Sequence, residues 1–460
     1  MLPKNLKYQN KVESQSANAF TSNIQPQNGT GPYTGGQTII INIPTRNNLC
    51  LVGSESTLKF SLSVTTGGGN TGYLRLDRAG AHGVITRLRL YHGSNLLEDI
   101  DNYNLLAANM IALQKSCGAS KGKYNISTGM RYESVITDAS RQIYDAPAGE
   151  KLFGAGGEFP GAVIGAGTVS TARTYTISLL SILGSLGSQY VPLFSMTSSP
   201  LRLELQLCAT PQLFCCADAF VPASFSVNNV EYIASFIELS DTSMNIINQS
   251  LSGQPLQYVL PSFRNYVYNN TVLNNATTQI SVPIPAKFSS IKSIIGCMRN
   301  KSAGGITFFP LASTHFGLSQ YTIRLGSKVI PSKAPASVSE YFSELCKSVG
   351  SISDLTHMPN INMMTYNVLA PVANAETFTA VDETAFSACF MTGCDFEVYA
   401  NAEKDAIFSG YNTNQDDIYW QYTYTNGNVF GGADVQVRFD HFAMYDSLLI
   451  CENGTCYVKY

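Results

Sequence analysis

The chain has 460 residues, more than one hydrophobic core serves, because cores stop growing at roughly 250–300 residues; two domains are expected. Hydrophobic residues make up 44%, enough to fill such cores, while charged residues are only 13%, about half of the roughly 25% usual in soluble domains. A net charge of −3 with no long basic run excludes a nucleic-acid footprint on the globular part, and so little surface charge suits a protein covered by copies of itself better than a freely diffusing monomer.

Residues 1–36 read as an extended arm rich in Gln, Asn, Ser and Gly. Its first residues carry no apolar core or cleavage pattern, so no secretory signal is expected, and no run of about 18 apolar residues marks a membrane span. Lys4, Lys7 and Lys11 are its only cationic cluster, read as solvated with contact to a packaged genome as the alternative. From Gln37 the pattern turns to short Val-, Ile-, Thr-, Tyr- and Phe-rich stretches broken by Gly, Asn and Pro. In "TLKFSLSV" Leu58, Phe60 and Leu62 share one face, and in "LRLELQL" Leu201, Leu203, Leu205 and Leu207 oppose Arg202, Glu204 and Gln206. Such alternation describes strands with one buried and one wetted face, and many of them imply sandwiches or barrels.

Two helices interrupt the strands. The first is expected over Asn102–Ser116, with Tyr103, Leu106, Met110 and Leu113 as an apolar stripe and Gly118 past its end. The second is expected over Val338–Val349, opened by the capping box Ser337-Val338-Ser339-Glu340 and closed by Gly350. The stripe of this helix is Val338, Tyr341, Phe342, Leu345 and Val349.

These features recur in order. Gly93 of "RLYHGS" and Gly326 of "RLGS" are offset by 326 − 93 = 233, and Pro44 and Pro285, ending "IIINIP" and "ISVPIP", by 285 − 44 = 241. Ser56-Thr57-Leu58-Lys59 and Ser289-Ser290-Ile291-Lys292 are offset by 289 − 56 = 233. Leu201–Leu205 is matched with Val435–Phe439, offset 435 − 201 = 234. The chain is therefore read as two copies of one β-sandwich, each with an inserted helix, divided into an arm 1–36 and domains 37–245 and 246–460.

A duplicated β-sandwich with a helix in each copy resembles the double jelly-roll major capsid proteins of tailless membrane-containing phages, adenovirus, and the polinton-like and large DNA viruses of eukaryotes. The stretches "LEDIDNYNLLAANM" (97–110), "VEYIASFIELSD" (230–241), "VPIPAKFSSIKSIIGCMR" (282–299) and "VRFDHFAMYDSLLICENGTCYVKY" (437–460) look like phrases of that family. The resemblance implies an all-β fold of two tandem eight-stranded jelly rolls. It implies a homotrimer that presents six sandwiches as a pseudo-hexagonal block tiling an icosahedral facet, located in the virion. Implied partners are neighbouring capsomers, penton and minor capsid proteins, an internal membrane or genome through the arm, and a host receptor. Outer loops would be Tyr144–Thr174 and Met358–Glu383.

Catalytic patterns are weak. "GAGGEFPG" (154–161) follows no strand-to-helix unit, and Ser120 in "GASKG" follows a helix where a nucleophile elbow needs to precede one. Asp416-Asp417 reads as an exposed turn. The five histidines, His82, His92, His315, His357 and His441, lack zinc-like spacing and are expected in loops or on the surface. No enzyme activity, cofactor or metal is expected. Sequons at Asn28, Asn125, Asn248, Asn269, Asn275, Asn300 and Asn453 keep a second class open, a secreted or surface carbohydrate-binding tandem sandwich, with a carbohydrate-active enzyme as a third.

Most of the eleven cysteines, such as Cys50, Cys117, Cys208, Cys297 and Cys346, read as buried thiols of a reducing compartment. In "LLICENGTCYVKY" the Asn453-Gly454 pair reads as a type I′ hairpin turn, which makes Cys451 and Cys456 face each other. They form either a late-closing disulfide clip or, as a cytosolic product favours, two free thiols packed as small hydrophobes.

Overall fold

The computed structural model describes residues 17–66, 72–116, 119, 123–129, 162–164, 169–170, 172–186, 190–210, 214–217, 222–251, 253–301, 311–350, 361, 363–368, 388–397, 409–425 and 434–460. In chain order the first half contributes β1 (Ala17–Ile24), β2 (Thr38–Ile43), β3 (Leu49–Leu51), β4 (Thr57–Thr66), β5 (Gly72–Leu76), β6 (Ile85–His92), β7 (Asn95–Asp101), helix α1 (Tyr103–Gln114), β8 (Ala162–Ile164), β9 (Arg173–Ile177), β10 (Leu201–Leu207), β11 (Cys215–Ala217) and β12 (Pro222–Leu239). Helix α2 (Asp241–Leu251) follows. The second half contributes β13 (Leu256–Val272), β14 (Thr278–Ile284), β15 (Ile291–Asn300), β16 (Leu318–Leu325), β17 (Lys328–Ile330), helix α3 (Val338–Ser348), β18 (Met391–Asp395), β19 (Ile418–Tyr424), β20 (Val435–Glu452) and β21 (Thr455–Lys459).

The strands pair antiparallel into two sandwiches of the same topology. The first has sheets β1–β12–β4–β9 and β2–β10–β6–β7; the second has β13–β20–β15–β18 and β14–β19–β16–β17. Each is an eight-stranded jelly roll. Strands β3 and β21 lie beside β12 and β20, and β11–β5–β8 forms a small extra sheet on the first roll.

This topology corrects one repeat assignment. β10 lies between β2 and β6, so its counterpart is β19, which lies between β14 and β16. Val435–Phe439 belongs to β20, the counterpart of β12. The two equivalent strands differ because the first roll fills its interior with Leu201, Leu203, Leu205 and Leu207, whereas the second uses Ile418, Trp420, Tyr422 and Tyr424. The buried rings need polar partners for their hydroxyls, so Tyr422 bonds His441 Nε2 on the opposite sheet at 2.9 Å and Tyr321 donates to the Gly393 carbonyl at 2.9 Å.

The outward faces of these equivalent sheets also differ. On the first roll Arg202, Glu204, Arg89, Arg87 and Asp99 form a charged ladder, with Arg89–Glu204 at 3.1 Å, Arg87–Asp99 at 2.8 Å and the Arg202 guanidinium over the Tyr91 ring. On the second, Tyr419 and Gln421 sit between Pro283 and Ser281 on one side and Arg324 and Thr322 on the other.

The segment read as an arm divides. Residues 1–16 lie outside the described residues, while Ala17–Ile24 runs as β1 along β12, from Ala17 opposite Leu239 to Ile24 opposite Tyr232. The sequence reading missed α2, whose eleven residues are nowhere fully buried; the expected division at 245/246 falls inside it.

Helix α1 is not the one-sided helix expected, since every residue from Tyr103 to Leu113 is buried. It packs on the Gly80–Val84 turn and β6 of the first roll, and Asn109 reaches Cys297 on β15 of the second. The stripe reading fails because the helix is buried on every face. Helix α3 follows its pattern more closely: Ser337 Oγ accepts from the Glu340 N–H at 3.3 Å, and Glu340 reaches back to the Ala336 N–H at 2.7 Å, one residue beyond the cap. It lies directly on β18, where a Cβ at Gly393 would stand 2.7 Å from Leu345 Cα and 2.5 Å from Ser348 Oγ. Gly393→Ala is therefore expected to push α3 off its sheet and destabilise the second roll by about 1–3 kcal/mol, read as a lower denaturation midpoint in chemical unfolding.

Candidate functional site

Among the described residues the two rolls meet in several places, and the C-terminal hairpin makes the first. Asn453 and Gly454 both have positive φ (52° and 77°), the conformation of a two-residue hairpin turn between β20 and β21. Glu452 then opposes Thr455 and Cys451 opposes Cys456, with Cα atoms 4.3 Å apart and the sulfurs disulfide-linked. The hairpin tip rests on the β6–β7 turn and the neighbouring Met196–Ser198 segment. Ser198 N–H donates to the Gly454 carbonyl at 3.1 Å, and the Asn95 amide donates to the Cys456 carbonyl at 2.9 Å. Cys456 N–H donates to His92 Nδ1 at 3.1 Å, while His92 Nε2 donates to the Met196 carbonyl at 3.2 Å. These partners assign the His92 proton to Nε2. A Cβ at Gly454 would stand 2.9 Å from Thr197 Oγ1, so turn chemistry and docking both select glycine.

The second contact is ionic. Asp77 accepts from the Leu311 N–H at 2.7 Å, and Arg78 donates to the Leu311 carbonyl through Nε and Nη2 at 3.0 and 2.8 Å. Arg78 Nη2 also reaches Asn109 Oδ1 at 2.7 Å, so Asp77 and Arg78 at a strand end of the first roll grip the backbone N–H and carbonyl of Leu311. On the second roll's side lies Asp440, fully buried and paired with Arg299 at 2.7 Å and Arg438 at 3.1 Å. Burial pushes the Asp440 carboxyl up, but the two guanidiniums outweigh it and hold the group below its ordinary range.

At the third contact β7 faces β13. Glu98 is 1% exposed; its Oε2 accepts from the Ser181 hydroxyl and the Ile182 N–H, and its Oε1 has no partner among the described residues. The Tyr258 hydroxyl across the junction also lacks one, and Tyr445 and Tyr460 lie within electrostatic reach. Burial pushes the Glu98 carboxyl up to about 7, against the two hydrogen bonds that lower it. A carboxyl raised in the folded state takes up a proton on folding between its ordinary range and that value. Its stabilisation is thus complete in acid and lost as pH rises through 7, a change of roughly 3 kcal/mol. Glu98→Gln is expected to flatten the fall in thermal stability between about pH 5 and about pH 8, measured by calorimetry against the parent chain.

Other sequence candidates land elsewhere. Ser120, "GAGGEFPG", His357 and most of the two expected outer loops lie outside the described residues. The surface expectation for histidines fails for His82, His92 and His441, which are buried; burial lowers His82 to about 4 and His441 to about 3. His315 is partly buried. Among the described residues no group of three or more His, Cys, Asp or Glu could hold a metal ion, and no helix is long and apolar enough to cross a membrane. Sequence reading missed Asp77, Arg78 and Glu98. Only Glu98 left a trace, since "NLLEDID" breaks alternation where β7 slips register against β6.

The sequence matches no protein-family model and no curated protein. Solved structures do match. The capsid protein VP54 of PBCV-1, fitted into a reconstruction of the virophage Sputnik, aligns with TM-score 0.58 and 13% identity over 97% of this chain and 98% of that one. A chain of the Sputnik virophage aligns with TM-score 0.61 and 10% identity over 100% of this chain and 92% of that one. The mavirus major capsid protein aligns with TM-score 0.55 and 10% identity over 100% and 95%. From end to end, the chain has the double jelly-roll fold of these viral major capsid proteins.

Proposed function

We propose that this chain is a major capsid protein that trimerises into pseudo-hexameric capsomers and tiles the facets of an icosahedral virion. The observation that carries the reading is the fold itself, two eight-stranded rolls of one topology in a single chain, aligned with capsid proteins over nearly the full length of each. Two rolls per chain and three chains per capsomer give six similar sandwiches around a threefold axis, which a six-neighbour lattice requires. Low charge supports self-coverage. In this reading the polypeptide divides into two rolls at about 245/246, and Ala17–Ile24 of the expected arm 1–36 belongs to the first roll as β1. Its partners are its own copies, penton and minor capsid proteins, and, through the arm, a membrane or the genome. Light scattering after size exclusion is expected to give three times the 49.8 kDa chain, about 149 kDa, or shells built from that unit; a stable monomer at high concentration would refute the assembly.

The Cys451–Cys456 clip belongs to the same reading. It closes once particles leave a reducing cell and fixes β21 where it docks on the first roll. Denatured, unreduced particles are expected to show nine free thiols of the eleven cysteines, and eleven after reduction. For so short a loop the bond contributes about 2 kcal/mol, so Cys451→Ser should lower the unfolding midpoint modestly.

A further inference from the structure

One cluster of the second roll lies apart from the junction and plays no part in the capsid reading. Lys292 on β15, Asp446 on β20 and Glu397, just past β18, converge from three neighbouring strands. The β15–β20 register slips between Ile291 and Ser293, so Lys292 is the extra residue of a bulge, the device that re-aims a side chain out of a regular ladder. Its Nζ stands 3.4 Å from Asp446 Oδ1 and 3.4 Å from Glu397 Oε1.

Both carboxylates are held in place. Ser290 Oγ donates to Asp446 Oδ2 at 2.8 Å and is itself pinned by the Gly410 N–H at 3.1 Å; Ser409 Oγ donates to Glu397 Oε1 at 3.0 Å. Asp446 Oδ1 is left facing the amine. The site differs from the other lysine pairs among the described residues. In those, Glu231, Asp417, Glu340 and Glu344 keep 20–71% of their side-chain surface, so water solvates both charges. The Asp446 side chain keeps 5%, while Lys292 and Glu397 keep 27% each, enough to let a water molecule leave.

One ammonium shared by two carboxylates leaves a net negative charge, and burial then favours protonating one of them. Burial is the largest influence on Asp446 and raises it, Lys292 pulling the other way. Moving a proton from Lys292 to the carboxyl side yields a neutral amine 3.4 Å from an oxygen of a neutral acid, the pair that condenses.

We propose that Lys292 and Asp446 join in an intramolecular isopeptide bond, with Glu397 carrying the proton. The Nζ lone pair attacks Asp446 Cγ, and Glu397 takes a proton from Nζ and delivers it to the departing oxygen. The Cγ–O bond breaks as the C–N bond forms, one water leaves, and Glu397 returns to its starting state. An amine and a carboxylic acid become an amide and water, with no oxidant or reductant. The product ties β15 to β20 covalently in the middle of the second roll.

Intact-mass measurement of the denatured, reduced full chain, after prolonged incubation at neutral pH, tests this. The expected mass is one water below the sequence mass, with the Lys292 and Asp446 peptides recovered as one branched species after proteolysis. Glu397→Gln and Lys292→Arg, checked by circular dichroism, should restore the full mass. A parent chain of full sequence mass, with the two peptides recovered separately, would overturn the bond. A cross-link that persists in Glu397→Gln would overturn the role of Glu397.

Discussion

The antiparallel ladder of β13 with β20, from Leu256 opposite Cys451 to Val272 opposite Val435, is the constraint on which the rest depends. β20 is paired on its other edge first with β15 and then with β21, so one strand holds the second roll together and also carries the chain to the first. Nearly every group with a structural task in that roll lies along it. Asp440 gathers two arginines, His441 bonds across the sandwich, Asp446 meets Lys292, and Cys451 begins the hairpin that docks beside His92. A shift of one residue in this ladder would turn all of them to the opposite face.

The two rolls share topology but not materials. The first has an aliphatic interior and a charged outward ladder whose arginines and carboxylates satisfy one another. The second has an aromatic interior threaded by hydroxyl hydrogen bonds and an outward face with little charge, where Tyr419 is 41% exposed. Neutral faces with exposed aromatic rings desolvate at lower cost than faces of paired ions, which must give up water from each charge. The two rolls share the ladder geometry and differ in the chemistry of their outward faces.

Much of this was legible in the sequence because it rests on local rules. Period-2 alternation located β4 and β10, the Asn453-Gly454 turn fixed the hairpin register, and Ser337 with Glu340 marked the start of α3. What escaped was set by tertiary contact. Helix α1 is buried on every face, so no apolar stripe describes it. β19 buries rings with polar ends, and "IYWQYTY" therefore looks unlike the leucine ladder it corresponds to, which drew the repeat assignment to β20. Asp77, Arg78 and Glu98 act on backbone and side chains far along the chain, and no spacing encodes such partners.

The order in which strands are made bears on when the molecule becomes competent. In each roll a strand central to one sheet is the last of the eight to be synthesised, β12 in the first and β20 in the second. β13 therefore emerges long before the strand that covers its edge, and the ladder closes over a large sequence separation, which makes it a slow, late event in folding. The first roll has its full set of strands by Leu239 and can fold while the second is still being made. The surface on which the β20–β21 hairpin lands is then complete before the hairpin exists. A nascent chain therefore cannot present a finished junction until its last strands are made.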